Sequence, residues 1–305
     1  MATGVEVTVG GRSLKLSNLD KVLYPATGFT KGQMIDYYAR VAPALLTHLR
    51  GRPVTLRRWP NGVEQGSFFE KNCPSHRPEW VPTVTMGDIA YCAVDEEATL
   101  VWLANLAAIE LHPTLARGGG ECPSAVVFDL DPGAPADVLS CARVATLIRA
   151  TLDDLGLASW VKTSGSKGLQ VYAPLDGTAG YEHTKPWSHA LARHLEAANG
   201  DLVVSTQDKR ARAGKVLIDW SQNTASKTTV AAYSLRAGTR PGVSTPLSWA
   251  EVDLAMASGD PECLRFTPAQ VLERVDGHGD LFAPVAAGGQ GIPGGLSGRR
   301  TALGR

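Results

Sequence analysis

Val126-Val127-Phe128-Asp129-Leu130-Asp131-Pro132 is the stretch on which the reading of this chain turns. A short β-branched and apolar run closed by proline reads as a buried strand. Asp129 and Asp131 lie two residues apart on it, so both carboxylates project from one face. Carboxylates held that close repel each other unless a cation lies between them. Hard oxygen ligands of this kind select Mg²⁺ or Mn²⁺. The competing reading is a solvated turn, because Asp before Pro commonly starts one.

A second apolar run, Val216-Leu217-Ile218, delivers Asp219 in the same manner, and polar Ser221, Gln222 and Asn223 follow it. Three carboxylates from two strands are what a two-ion site needs, in which ions about 3.5–4 Å apart activate an attacking oxygen and neutralise a leaving phosphate. Taken alone, Asp219 also reads as the cap of a turn. Between the two acidic runs lies Lys162-Thr163-Ser164-Gly165-Ser166-Lys167-Gly168. Small residues let backbone N–H groups converge on an anion, and hydroxyls and a lysine complete a phosphate cradle. The spacing is not that of a Walker A loop, and by itself the segment also reads as a Gly-rich hairpin turn.

Working outward, residues 5–16 alternate around Gly10-Gly11 and predict a β-hairpin. Thr30 is the expected N-cap of a helix over 31–49. Further strands are expected over 54–59, 66–70, 125–130, 160–163, 169–173, 216–220 and 228–235. Further helices are expected over 98–112, 136–156, 185–199, 249–256 and 268–275. Helices and strands mix without a regular βαβ rhythm, which places the chain in the α/β (α+β) class around mixed sheets. From 286 onward Gly, Pro and Ser dominate, and a flexible tail or linker is expected over 286–305.

No apolar run reaches the roughly 18 residues that a membrane span requires, and the first residues lack the basic and apolar regions of a secretory signal. A cytoplasmic, nucleoid-associated location with no membrane partner is therefore expected. The formal net charge is zero, which on its own counts against a nucleic-acid partner, but the charges are unevenly placed. Residues 50–58 hold four arginines, and Lys209, Arg210, Arg212 and Lys215 form a second basic cluster, so a local basic channel stays open. Cys73, Cys92, Cys122, Cys141 and Cys263 are odd in number and contain no CxxC pair, and five reduced thiols are expected. Gly289-Gln290-Gly291-Ile292-Pro293-Gly294 matches GxGxxG in form only, since it follows no strand and contains proline. His183, His189 and His194 lack the i,i+4 spacing of a metal-binding helix pair and are expected to be ordinary surface or core residues.

In combination these residues resemble the polymerase domain of bacterial ligase D, in the archaeo-eukaryotic primase superfamily. The motifs run in order from Ser17-Asn18-Leu19-Asp20-Lys21-Val22-Leu23-Tyr24-Pro25 through Phe68-Phe69-Glu70-Lys71, Glu110-Leu111-His112 and Phe128-Asp129-Leu130-Asp131-Pro132. They continue with Ser164-Gly165-Ser166-Lys167-Gly168-Leu169, Ile218-Asp219-Trp220-Ser221-Gln222-Asn223 and Tyr233-Ser234-Leu235-Arg236-Ala237. The resemblance covers residues 16–282 and implies a primase-polymerase fold over 1–285, built of two interleaved mixed-sheet modules of which the catalytic one is RRM-like.

The resemblance also implies roles. Asp129, Asp131 and Asp219 would be the catalytic acids holding two divalent ions, Mn²⁺ or Mg²⁺. His112, Ser164, Ser166, Lys167, Gln222 and Arg236 would contact the incoming nucleotide. Asn18, Lys21 and Lys31 would bind a 5′-phosphate across a gap, and Arg58, Phe68 and Phe69 would meet the template. Each residue type suits its task, since Lys and Asn bind phosphates and aromatic faces accept bases. Core packing is the competing reading of Phe68-Phe69, because adjacent strand positions face opposite ways. The sequence departs from the family at position 170, where Gln stands in place of a frequent His, and over 224–229, where no Gly precedes Lys227.

The implied activity is template-dependent addition of nucleotides to a primer 3′-hydroxyl at DNA gaps and double-strand-break ends, as in bacterial non-homologous end joining. A preference for rNTPs over dNTPs is implied with it. The partners implied are DNA with gapped or 3′-overhanging ends and a 5′-phosphate, NTPs or dNTPs, and by analogy an end-binding Ku and a DNA ligase. A stand-alone primase that starts chains without a primer is the nearest alternative. A non-catalytic module that bridges DNA ends is the alternative from another class, and loss of one acid of the triad would have favoured it. A metal phosphoesterase comes third, since it would leave the Ser/Lys loop and the aromatic pair without a purpose.

Overall fold

The computed structural model describes residues 4–293. The chain divides into two compact units that interleave along the sequence. The first takes residues 1–119, 228–245 and 266–283, and the second takes 120–227, 246–265 and 284–305.

The first unit is organised around the strand Pro53–Arg58. Ala108–Pro113 pairs along one edge of it; Ile89–Ala93 and Phe68–Glu70 share the other, all antiparallel. Thr83–Met86 extends the sheet beyond Ile89–Ala93. The helix Lys31–Leu49 begins at Thr30 with a reciprocal cap, the Thr30 hydroxyl accepting from the Gln33 amide while the Gln33 side chain accepts from Thr30 N–H. Such a box satisfies two donors that a helix start would otherwise leave unpaired. The buried ring of Tyr37 donates its hydroxyl to the Tyr233 carbonyl at 2.8 Å, and Tyr38 donates to Ile109 at 2.6 Å. The alternating hairpin forms as expected, Val5–Val9 against Arg12–Leu16.

Three expectations fail in this unit. The predicted helix over 98–112 is a helix, Glu97–Asn105, followed by the strand Ala108–Pro113. Ala107 between them has φ 59°, a left-handed conformation that stops a helix. Because all six residues of the strand are buried, its side chains carry no alternation by which periodicity tells strand from helix. The predicted strand over 228–235 shrinks to an isolated bridge at Thr228 and the pair Leu235–Arg236. The amides of Thr229 and Ala231 still bond to Pro113 and Leu111 before Tyr233, at φ 67°, turns the chain. Finally, Cys73 and Cys92 are joined by a disulfide, not reduced. The Cys73 amide donates to the Ala90 carbonyl at 2.7 Å, a tertiary contact that spacing along the chain does not reveal.

The second unit holds a six-stranded sheet in the order Val203–Val204, Val216–Asp219, Ala125–Pro132, Leu169–Pro174, Trp160–Thr163, Pro246–Leu247. Only the first pair is parallel. The helices Val138–Asp154 and Tyr181–Ala198 pack against the strand Ala125–Pro132. Phe128, wholly buried, lies 6.4 Å from Trp187 between ring centroids, and alternation turns the neighbouring aspartates to the opposite face. Buried Asn223 clips this strand by accepting from Val127 N–H and donating to Val127 C=O.

Of the expected flexible tail, residues 286–293 are tied down. Ala283–Ala287 forms a short helix, and Gln290 accepts from Ala158 N–H at 2.7 Å while donating to the carbonyls of Ala158 and Pro174. One glutamine that satisfies three backbone groups outweighs the composition around it. Residues 294–305 of that expected tail lie outside the described residues.

Candidate active site

In the second unit, antiparallel pairing sets Asp129 directly opposite Asp219, and Asp131 opposite Leu217. Directly opposed residues have Cβ atoms roughly 4.5–5.5 Å apart on the same sheet face. Asp131 shares that face by its i+2 position. Burial pushes the Asp129 carboxyl well above the ordinary carboxylate range, and the negative charges of Asp131 and Asp219 push it further, against a hydrogen bond from Gln170. Three oxygen-donor side chains on one sheet face fit a hard divalent cation in donor chemistry. They do not stand as a finished cage, and among the described residues no three His, Cys, Asp or Glu side chains are gathered to hold a metal ion.

Asp219 is engaged by neighbouring donors. Its Oδ1 accepts from Gln207 Nε2 at 3.0 Å, Ser221 N–H at 3.0 Å and Ser221 Oγ at 2.5 Å, and its Oδ2 accepts from Gln222 Nε2 at 2.8 Å. Gln222, expected at the nucleotide, therefore bonds the third acid. Lys227 in turn donates to the Ser221 hydroxyl. Position 170 takes a comparable place beside Asp129. Gln170 donates from Nε2 to Asp129 Oδ1 at 3.0 Å and accepts at Oε1 from buried Lys162 Nζ at 2.6 Å. Gln170 and Lys162 face the acids through the sheet register, with no signal in their own spacing.

The Ser/Gly/Lys segment is the turn between Trp160–Thr163 and Leu169–Pro174. Ser164 N–H donates to Gly168 C=O at 2.9 Å, and Ser164 Oγ accepts from the amides of Ser166 and Gly168. A Cβ on Gly168 would fall 1.9 Å from the Leu130 carbonyl oxygen, so only glycine lets the turn press against the strand between Asp129 and Asp131. Ser164 is half-buried, whereas Ser166 and Lys167 are exposed at the tip.

In the first unit, Glu110 and His112 share a face of the strand Ala108–Pro113. The Glu110 side chain is 1% exposed, and its Oε2 meets His112 Nε2 at 2.9 Å, Arg236 Nη1 at 3.1 Å and Arg57 Nη1 at 3.7 Å. Its Oε1 accepts from Ala237 N–H at 3.0 Å. Burial pushes this carboxyl up, but the His112 hydrogen bond, the Arg236 charge and the Ala237 amide outweigh it and leave it below the ordinary range. His112 is held below its ordinary value, first by burial and then by Arg236 and Arg57, with Glu110 opposing.

Phe68 and Phe69 are 45% and 58% exposed, so neither is core. Each ring carries a guanidinium: Arg58 lies 5.3 Å from the Phe68 centroid and Arg57 lies 4.9 Å from that of Phe69. Arg57 also covers Trp59 at 4.7 Å, and Phe69 meets His112 edge-on at 5.9 Å. Arg58 is anchored by Glu70 at 2.8 Å and by the Leu106 carbonyl at 2.9 Å. Sequence reasoning missed Arg57 and Glu110; the Glu-x-His spacing, which puts both side chains on one strand face, was the available signal for Glu110.

Asn18, Lys21 and Lys31 are brought together where the helix Lys31–Leu49 starts. Asn18 has φ 53°, its carbonyl accepts from Lys21 N–H, and the Lys21 carbonyl accepts from Lys31 N–H. Lys31 Nζ donates to the Ser17 carbonyl at 2.5 Å, and Lys21 Nζ to Asn61 at 3.0 Å. Burial, with Lys21 nearby, lowers the Lys31 ammonium to about 8. Two lysines at the positive end of a helix disfavour each other and favour an anion.

The family model for the LigD primase-polymerase domain matches residues 30–282 of this chain. The chain belongs to the LigD primase-polymerase family. It is 44% identical over 290 residues to the multifunctional non-homologous end joining DNA repair protein LigD of Mycobacterium tuberculosis H37Rv, covering 89% of this chain and 37% of that protein. It is 32% identical over 270 residues to the bifunctional non-homologous end joining protein LigD of Bacillus subtilis, covering 88% of this chain and 43% of that protein. The chain thus spans well under half the length of these relatives. Among solved structures, the polymerase domain from Mycobacterium tuberculosis ligase D in complex with DNA matches with a TM-score of 0.83 at 43% identity, over 90% of this chain and 98% of that one. Like other members of the LigD primase-polymerase family, the chain is a nucleotidyltransferase with mixed α/β architecture, and membership implies use of a divalent metal.

Proposed function

We propose that this LigD-family domain adds nucleotides to a primer 3′-hydroxyl opposite a template, at gaps and double-strand-break ends that carry a 5′-phosphate. The observation that carries the reading is the placement of Asp129 across from Asp219, with Asp131 on the same face and the Ser164–Gly168 turn pressed against the Leu130 carbonyl between Asp129 and Asp131. Asp129, Asp131 and Asp219 would hold two divalent ions, Mg²⁺ or Mn²⁺, which supply activation of the hydroxyl and charge neutralisation at the departing pyrophosphate. The hydroxyls of Ser164 and Ser166, with Lys167, bind the triphosphate. His112, Arg236 and Gln222 contact the nucleotide, and Gln222 also donates to Asp219. Phe68 and Phe69 stack on template bases over Arg58 and Arg57, and Asn18, Lys21 and Lys31 bind the 5′-phosphate. A place in end joining rests on the relatives' names, and an rNTP preference and partnership with Ku and a ligase rest on the family resemblance.

The test is primer extension on a gapped duplex with a 5′-phosphate, in rNTP and dNTP series with Mn²⁺ or Mg²⁺, beside the D129A/D131A double variant. Template-directed addition lost in the variant supports the proposal, and addition without a primer would move it to a primase. No addition under any condition, with equal DNA binding by both proteins, would leave an end-bridging module.

A further inference from the structure

We propose that Glu110 is a positioning residue that locks His112 into one tautomer and yokes Arg57 and Arg236 to the same carboxylate. The role rests on the polymerase reading for its purpose, though not for its geometry. Glu110 is almost wholly buried, yet no part of the proposed chemistry uses it directly. Four groups converge on its two oxygens: His112 Nε2, Arg236 Nη1 and Arg57 Nη1 at Oε2, and Ala237 N–H at Oε1.

A carboxylate has no proton to donate, so the 2.9 Å contact places the hydrogen of His112 on Nε2. Nδ1 is then left as a lone-pair acceptor, able to take a hydrogen bond from a hydroxyl but not to give one. The charged groups facing the imidazole are Glu110, Arg236 and Arg57. Burial, helped by Arg236 and Arg57 and opposed by Glu110, favours the neutral ring. The same carboxylate sets the arginines. Arg57 reaches Glu110 with one nitrogen while its plane covers Phe69 and Trp59, so the exposed stacking ring and the nucleotide-side cation Arg236 share one anchor.

The arrangement is more than a core ion pair. Arg57 Nε and Arg236 Nε are buried without a hydrogen-bond partner, a cost that purely structural packing avoids. Holding two guanidiniums against one carboxylate oxygen tethers one nitrogen of each beside His112. A neutral side chain of the same shape at 110 would keep the packing but release the tautomer and both cations.

The experiment reads tautomer and kinetics separately, on the whole chain. Long-range ¹H–¹⁵N correlation of ¹⁵N-histidine-labelled protein, with His112 assigned by its loss in H112N, is expected to show a single neutral Nε2–H form at pH 7.5. In E110Q the glutamine can accept or donate, and the single form is expected to give way to a mixture. The KM for the nucleotide on a gapped duplex is expected to rise about tenfold or more with kcat changed less than about threefold, the signature of lost uniform binding. An Nδ1–H form in the unmodified protein overturns the proposal, and this reading needs no folded variant. Unchanged tautomer and unchanged KM in E110Q overturn it as well. A protein with the expected tautomers and no nucleotide addition would refute the polymerase reading and leave the positioning role of Glu110 standing.

Discussion

Asp129 and Asp219 face each other across one antiparallel pair, Cα opposite Cα, on strands whose preceding residues are core. Two carboxylates so placed oppose the folded state and favour a cation. In the presence of a chelator, D129N is therefore expected to melt about 2–4 °C above the unmodified protein, the shift of about 1 kcal/mol in a chain of this size. Added Mn²⁺ should raise the melting temperature of the unmodified protein and leave that of D129N nearly unmoved. Calorimetry with and without the ion checks both, and a D129N that melts lower in chelator refutes the repulsion argument.

Gln170 is bonded on both sides, to Asp129 and to Lys162. Replacing it by leucine removes a donor from one buried group and an acceptor from another. Q170L is expected to lose about 2–4 kcal/mol of stability in urea unfolding. Q170H, which restores a polar group of the family's usual kind, should lose less than half as much.

Gly168 has no room for a side chain beside the Leu130 carbonyl. G168A is expected to push the turn off the acidic strand and raise the nucleotide KM by about tenfold or more, while binding of gapped DNA stays within about twofold. Equal kinetics in G168A would show that the turn does not grip the triphosphate.

Phe68 and Phe69 pack against arginines rather than into the core. F68A and F69A should change unfolding free energy by no more than about 0.5 kcal/mol and weaken template binding by about 1–3 kcal/mol for each base that loses its stack. Fluorescence titration of a gapped template, set beside chemical unfolding, separates the two.

The buried trio of His48, Asp280 and Tyr233 links the helix Lys31–Leu49 to the segment that ends at Phe282. Asp280 accepts from Tyr233 at 2.7 Å and meets His48 at 2.9 Å. Burial pushes its carboxyl up, but His48, Tyr233 and the Phe282 amide hold it below the ordinary range on balance. The sign follows from linkage: a depressed folded value stabilises above the unfolded carboxylate value near about 4 and is lost as pH falls through the folded one. D280N is expected to cost about 1–3 kcal/mol at pH 7 and to flatten the stability curve below about pH 4. Thermal melts from pH 3 to 8 decide this.

Much of the site was legible along the chain, because the signals that marked it are local. Alternation put Asp129 and Asp131 on one face, Thr30 marked a helix start by its hydroxyl, and Gly and Ser clustered where a turn was needed. Reading failed where burial is complete or contacts are remote. The helix expected over 98–112 was drawn too long because the strand after Ala107, buried on both faces, has no periodicity to declare itself. Cys73 lies beside Cys92 in a segment held by the Cys73 N–H to Ala90 C=O bond, and Gln290 tied down residues that composition alone called loose.

By itself the sequence determined which residue types are present and how near neighbours share a face: the acidic pair, the Ser/Gly/Lys turn and the adjacent aromatic pair. Only the tertiary structure decided that Asp219 faces Asp129, that Gln170 rather than a charged group stands beside that acid, and that Glu110 gathers His112, Arg57 and Arg236. The physical reason is range. A strand repeats every two residues, so face is encoded locally, whereas register between strands and the partners of a buried charge depend on which distant segments pack together.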